Sequence, residues 1–233
     1  MTDTLTPKPV LAIGLVTTAE RRAEREQALD SLGRDGIAVL EDLRPGERRN
    51  HMAAWQTLFA DPSVTHALLF KDDVCAPQGW RDAVGRFLDM FPGQYAISFY
   101  SARKAASAPS STGYGHFMLP ARQWVSEQAL LLRREVILGF AKWLADEEYL
   151  RVVSPDDLNH HDVLLGAFLA SRGEKVMCSA PSLFQRAEAS PVEGRSGRGM
   201  RAIEWPGEEW EAGEHFRQKL HPRSVIADRT RRM

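Results

Sequence analysis

Two adjacent carboxylates, Asp72 and Asp73, follow Lys71 directly after an apolar run that ends at Phe70. Oxygen ligands of this kind hold a divalent cation, and the cation can neutralise a diphosphate. The same pair also suits the opening of a turn ahead of Pro77, because Asp side chains bond nearby backbone there. His160, His161 and Asp162 have the residue types that ligate zinc or iron. Consecutive residues on a helix point about 100° apart, so this cluster alone makes a poor metal site. Asp162 also fits the first turn of a helix capped by Asn159. Asp157 fits an earlier start, with Ser154 as cap and Pro155 after it, so either acid is explained by helix-end electrostatics without chemistry. Trp124 stands near a stretch of small residues and is the aromatic side chain best suited to stacking on a sugar or base, whereas Trp55 and Trp80 lie on apolar stripes and read as core.

Several chemistries are excluded. No Gly-x-Ser-x-Gly elbow, phosphate-binding Gly-Lys loop or Cys/His nucleophile arrangement occurs, which removes acyl transfer and simple ATPase readings. The only cysteines, Cys75 and Cys178, are too far apart for a zinc motif and too few for a disulfide framework, so a reducing cytoplasm is the expected setting. Thirty Lys and Arg against 31 Asp and Glu leave a formal charge of -1. Nucleic acid is therefore not gripped by bulk charge, although a local basic groove stays open.

The elements that must position these residues alternate along the chain. Residues 10–16 form a continuous apolar run, as a strand buried on both faces requires. A charged segment with Ala23, Ala28, Leu29 and Leu32 in a weak helical stripe follows, ended by Gly33 and Gly36. Residues 37–40 read as a second strand. Met52, Trp55, Leu58 and Phe59 mark a helix over 47–60, and residues 65–70 a third strand that delivers Asp72 and Asp73 at its carboxyl end, where open α/β sheets bind ligands. Trp80, Ala83, Val84, Phe87 and Leu88 mark the next helix, and residues 95–100 a fourth strand. Residues 101–115 lack apolar periodicity and read as a mobile loop. A strand over 128–132, a helix through Val136, Ile137, Phe140 and Leu144, a helix over 159–171 and a strand over 175–178 complete an α/β pattern of βαβ units. The longest apolar stretch falls far short of the ~20 residues of a membrane span, so a soluble protein is expected.

Taken together, Asn50, Trp55, Leu68 to Phe70, Lys71-Asp72-Asp73-Val74 and Gly79-Trp80 resemble the nucleotide-sugar half of GT-A fold glycosyltransferases, in particular family 2 and lipopolysaccharide-type enzymes. Gln128-Ala129 with Leu130 to Arg134 is similar to their acceptor half. The segment from His161-Asp162 to Gly173 is similar to the region of the catalytic acid in inverting members, and Pro181 to Gln185 to a late Pro-Ser-Leu-x-Gln stretch. The resemblance spans about residues 10–190 in the right order.

It implies a single GT-A-like domain over 1–190, with a Rossmann-like, mostly parallel sheet flanked by helices; residues 191–233, with Trp205, Trp210 and Phe216 as aromatic anchors, read as a C-terminal extension that packs on the same domain. The implied activity is transfer of a sugar from a nucleotide-sugar to a hydroxyl acceptor, with inversion. Asp162 would be the base that deprotonates the acceptor. Thr17, Arg21, Asn50, Lys71, Asp72, Asp73 and Arg186 would contact the donor, and Trp124, Gln128 and His161 the acceptor. Two positions depart from the family pattern: Lys71 replaces the first acid of the DxD-type motif, and Arg186 stands where a metal-binding His is frequent. Magnesium or manganese held through Asp73 and metal-independent catalysis are thus both open. Two further readings also stay open: a glycosyltransferase acting on a hydroxylated base in DNA, with phosphate contacts from the Gly/Arg segment at 194–199, and a non-catalytic sugar-nucleotide-binding homologue. The sugar, nucleobase, acceptor and oligomeric state are not legible.

Overall fold

The computed structural model describes residues 9–41, 47–101, 115–124, 128–187 and 207–220. The chain opens with β1 (Leu11–Thr17), α1 (Arg22–Leu32), β2 (Ile37–Glu41), α2 (Glu47–Leu58) and β3 (His66–Lys71). It continues through β4 (Val74–Cys75), α3 (Trp80–Met90), β5 (Ala96–Ser98), β6 (His116–Pro120) and β7 (Ala129–Arg133). It closes with α4 (Arg134–Ala145), α5 (His161–Ser171), β8 (Lys175–Ser179), β9 (Gln185–Arg186) and α6 (Ala212–Lys219).

Seven strands form one sheet in the order β2-β1-β3-β7-β5-β8-β6, and β4 pairs with β9 in a separate ribbon. β1 lies parallel to both β2 and β3, and β5 parallel to β8. β7 is inserted antiparallel between β3 and β5, and β6 runs antiparallel to β8 at the edge. The result is the expected α/β architecture, a mostly parallel sheet flanked by helices. Ala67 and Leu69 of β3 enter one apolar cluster and Leu68 and Phe70 the other, the period-two alternation of a strand covered on both faces. Trp55 of α2, Phe140 of α4 and Phe168 of α5 fill the first cluster. Leu29 of α1, Trp80 and Phe87 of α3 and Phe216 of α6 fill the second. Burying one such side chain stabilises by about 1.5–3 kcal/mol, so the three helices on each face fix the sheet that carries the site.

Three differences from the sequence reading have physical causes. β6 carries no strong strand pattern, being half-buried at an edge and ended by Pro120. Asn159 is not the cap of α5: His160 takes that position in extended conformation, and Ser154 heads a separate short turn over Pro155–Asp157. The start of the charged segment is a 310 turn over Ala19–Arg21, so Arg21 precedes α1, which begins at Arg22. The loop expected over 101–115 falls, apart from its two ends, outside the described residues, as does most of the C-terminal extension. Within that extension, α6 packs on α3 through Phe216, whose ring lies 5.1 Å from that of Phe87. Among the described residues, no helix is long and apolar enough to cross a membrane.

Candidate active site

β1 ends at Thr17 and β3 at Lys71, while antiparallel β7 begins beside them, with Ala129 opposite Phe70. At this edge Asp72 and Asp73 are buried, 4% and 3% exposed. Thr17 Oγ1 donates to Asp72 Oδ2 at 2.8 Å. The 310 turn after β1 brings Arg21 Nη2 to 3.2 Å from Asp72 Oδ1 and 3.9 Å from Asp73 Oδ2. Gln128, one residue before β7, donates through Nε2 to Asp73 Oδ1.

Arg186 arrives by way of the β4–β9 ribbon, in which Val74 is paired with Arg186 and Cys75 with Gln185. The pairing sets Arg186 Nε 2.6 Å from Asp73 Oδ2, and the next amide, Ala187 N, donates to the Asp73 carbonyl. Thr17, Arg21, Asp72, Asp73 and Arg186, all expected at the donor, are thus gathered in one network. Gln128, expected at the acceptor, belongs to the same network. The Lys71 amide donates to the Gln128 carbonyl at 3.1 Å and ties the two strand ends together.

Burial pushes the Asp72 carboxyl above the ordinary range, against the Thr17 hydrogen bond and the Arg21 charge, with Asp73 and Glu24 adding to the rise. Burial likewise raises the Cys75 thiol to about 11, assisted by Glu208, so the cysteine nearest the acids is an unreactive thiol.

The resemblance implies a magnesium or manganese ion on these acids, and the residues present do not fit one. Each of the four carboxylate oxygens already has a partner, from Thr17 or Arg21 at Asp72 and from Gln128 or Arg186 at Asp73. Among the described residues no group of three His, Cys, Asp or Glu converges. A divalent ion would have to displace two guanidiniums and then stand beside them.

The other expected residues separate into two sets. Gly173 and its two neighbours alone link α5 back to β8, so the first turn of α5, which holds Asp162, lies toward the edge where β8 ends. Asp162 is half-buried, and its Oδ1 accepts from Val163 N at 2.9 Å. α2 likewise precedes β3, and its first turns meet those of α5: the His51 and His161 rings lie 5.1 Å apart, and Arg48 Nη1 donates to the Leu158 carbonyl at 3.3 Å. Asn50 is buried in this junction.

His161 and Trp124 do not offer themselves to an acceptor. His161 is fully buried, with the Phe140 ring edge-on at 5.4 Å in addition to His51. Trp124 is 3% exposed and sits in the core of the α5 face. The close packing there is set by Gly166, where a Cβ would stand 2.9 Å from the Ala121 carbonyl of the turn that leads to Trp124. A covered indole has no face left for stacking. Reading sequence neighbours could not reveal this, because the cover comes from α5, some forty residues away.

No protein-family model and no curated protein matches the chain. Solved structures do. A glycosyltransferase involved in glycosylation of the major capsid of PBCV-1 is 15% identical, with 78% of this chain and 96% of that one covered and a TM-score of 0.48. The Drosophila β-1,4-galactosyltransferase 7, as a mutant in complex with manganese, UDP-Gal and xylobiose, is 12% identical over 81% and 77%, with a TM-score of 0.44. The protein A197 from STIV is 8% identical over 80% and 98%, with a TM-score of 0.44. At such identities and scores these neighbours do not decide the chemistry of this chain, which has to follow from its own residues.

Proposed function

We propose that this chain is a glycosyltransferase that moves a sugar from a nucleotide-sugar donor to a hydroxyl acceptor. The observation that carries the reading is the meeting of Arg21 and Arg186, far apart in the chain, over the buried Asp72-Asp73 pair at the carboxyl edge of the sheet. Ligands of open α/β sheets bind at this edge, and guanidinium forks match phosphate oxygens.

In this reading the donor diphosphate lies by Arg21, Arg186 and Lys71, with Thr17 and Gln128 holding the acids beneath. Asp162, on the α5 turn facing the same edge, takes the proton of the acceptor hydroxyl. The acceptor oxygen forms a bond to the anomeric carbon as the bond from that carbon to the diphosphate oxygen breaks, and the diphosphate leaves with the electron pair. Attack from the face opposite the leaving group inverts the anomeric centre. Fixed cations contribute most here, where negative charge grows on the leaving group.

The test is release of nucleoside diphosphate from a panel of nucleotide-sugars, with simple glycosides as acceptors, followed by mass spectrometry of the product. Acceptor-dependent release with a product heavier by one sugar is expected. Donor binding without any release, across a broad acceptor panel, would favour a binding module instead.

A further inference from the structure

We infer that Asp72 and Asp73 act as holders of Arg21 and Arg186, and that these guanidiniums receive the donor's diphosphate directly, with no metal ion between. The inference rests on the donor-site reading above and gives that site its means of charge recognition.

Burial orders the groups by depth. The two carboxylates are almost wholly covered, while the side chains of Arg21 and Arg186 are 28% and 41% exposed. Acid lies below and cation above, so the face offered to a ligand is cationic. The oxygens a metal would need are the ones that hold the arginines, Oδ1 of Asp72 and Oδ2 of Asp73.

The arginines keep donors in reserve. A guanidinium carries five N–H groups. Arg186 gives Nε to Asp73, and among the described residues its two terminal nitrogens have no partner. Arg21 gives Nη2 to the acids, and its Nε is buried without a hydrogen-bond partner among the described residues. Arg186, anchored through Nε, has its Nη1 and Nη2 fork left for a planar pair of phosphate oxygens, the geometry in which Arg exceeds Lys, while Arg21, with Nη2 on the acids and Nε buried, can offer Nη1.

Charge supports the same assignment. Arg21 and Arg186 match the charges of Asp72 and Asp73, so the buried acids are neutralised by the protein's own cations, and the more exposed partners in each pair are the guanidiniums. The acids keep two neighbouring guanidiniums from repelling each other out of the site. Asp72 and Asp73 are therefore positioning residues, and Arg21 and Arg186 the ligand contacts.

The experiment uses the full chain after treatment with EDTA and two separate probes. Calorimetry with inorganic pyrophosphate in EDTA is expected to show binding, weakened at least roughly ten-fold in Arg186→Ala and in Arg21→Ala. Arg186→Lys, which keeps the charge and loses the fork, should recover only part of that loss, and Asp73→Asn should weaken binding although it removes a negative charge. Should Arg186→Ala fail to fold, Arg186→Gln retains a donor to Asp73 and serves in its place. Titration of Mn²⁺ followed by electron paramagnetic resonance should show free-ion signal at every step. Stoichiometric Mn²⁺ binding that is lost in Asp73→Asn, with pyrophosphate held only when Mn²⁺ is present, overturns the inference and leaves the donor reading standing. Absence of binding by pyrophosphate and by nucleoside diphosphates, with and without Mn²⁺, overturns both.

Discussion

Arg186 and Asp73 are separated by 113 residues in the chain and by 2.6 Å in space, joined from Nε to a carboxylate oxygen that is itself buried. A carboxylate left in such a place without its cation is costly, and the exposure of Arg186 tempers that cost. Arg186→Ala is expected to destabilise by about 1–2 kcal/mol. In a double-mutant cycle with Asp73→Asn the pair should show a coupling of about 0.5–3 kcal/mol in urea unfolding. Strict additivity would mean that the two side chains do not act on each other.

Asp162→Asn keeps shape and removes the base. Turnover should fall by ~10²-fold or more while donor affinity is unchanged, since general-base catalysis contributes on that order. Steady-state rates beside donor titrations check this. Activity within a few-fold of the parent would leave Asp162 as a helix-end acid that bonds Val163 N.

Asp72 gives a pH signature of definite sign. Its carboxyl is raised above the ordinary range, chiefly by burial, so the folded state binds the proton more tightly than the unfolded one. Stability contributed by that proton is present at acid pH and is lost as pH rises from about 4 through the folded value. Asn mimics the protonated form. The stability of Asp72→Asn relative to the parent should therefore improve as pH rises across this window, as followed by urea unfolding at each pH. A difference that is flat or declines with pH would contradict the burial of an ionised Asp72.

Phe216 anchors α6 to α3 against Phe87 and Trp210. The same segment reaches the turn before α3, where Gln78 N donates to the Glu208 carbonyl and Ala212 N to the Gln78 carbonyl. Gly79 there has φ +64, and Glu211 fills the place a Cβ would take. Phe216→Ala should cost about 3–5 kcal/mol as a large-to-small core change. Thermal unfolding would read it, and a loss below 1 kcal/mol would mean that this helix contributes little to the fold.

Much of the architecture is legible in the residues. β3 reads clearly because Leu68, Leu69 and Phe70 are continuous and the charges of Lys71, Asp72 and Asp73 stop them. α3 reads clearly because Trp80, Ala83, Val84, Phe87 and Leu88 repeat at helical spacing, and those same five residues are its buried set. The direction of β7 is not legible, since an apolar run of Leu130 to Leu132 looks the same parallel or antiparallel. β4 and β9 have two residues each, too few for any period, so the ribbon that carries Arg186 to Asp73 leaves no local trace. The resemblance assigned Arg186 to the donor edge, but its carboxylate partner is a tertiary fact. Trp124 and His161 mislead for a related reason. Both stand beside polar residues in sequence, and helices distant in the chain cover them.

The most direct measurement is thermal unfolding of the full chain with nucleotide-sugars and nucleoside diphosphates at millimolar concentration, compared with Arg21→Ala and Arg186→Ala. A ligand at about 100 times its dissociation constant stabilises by ~2.7 kcal/mol, enough to raise Tm by several degrees. At least one nucleoside diphosphate and its sugar conjugate should raise the Tm of the parent and leave both variants little changed. No rise with any nucleotide, or an equal rise in the parent and both variants, would contradict a donor site at Arg21, Asp72, Asp73 and Arg186.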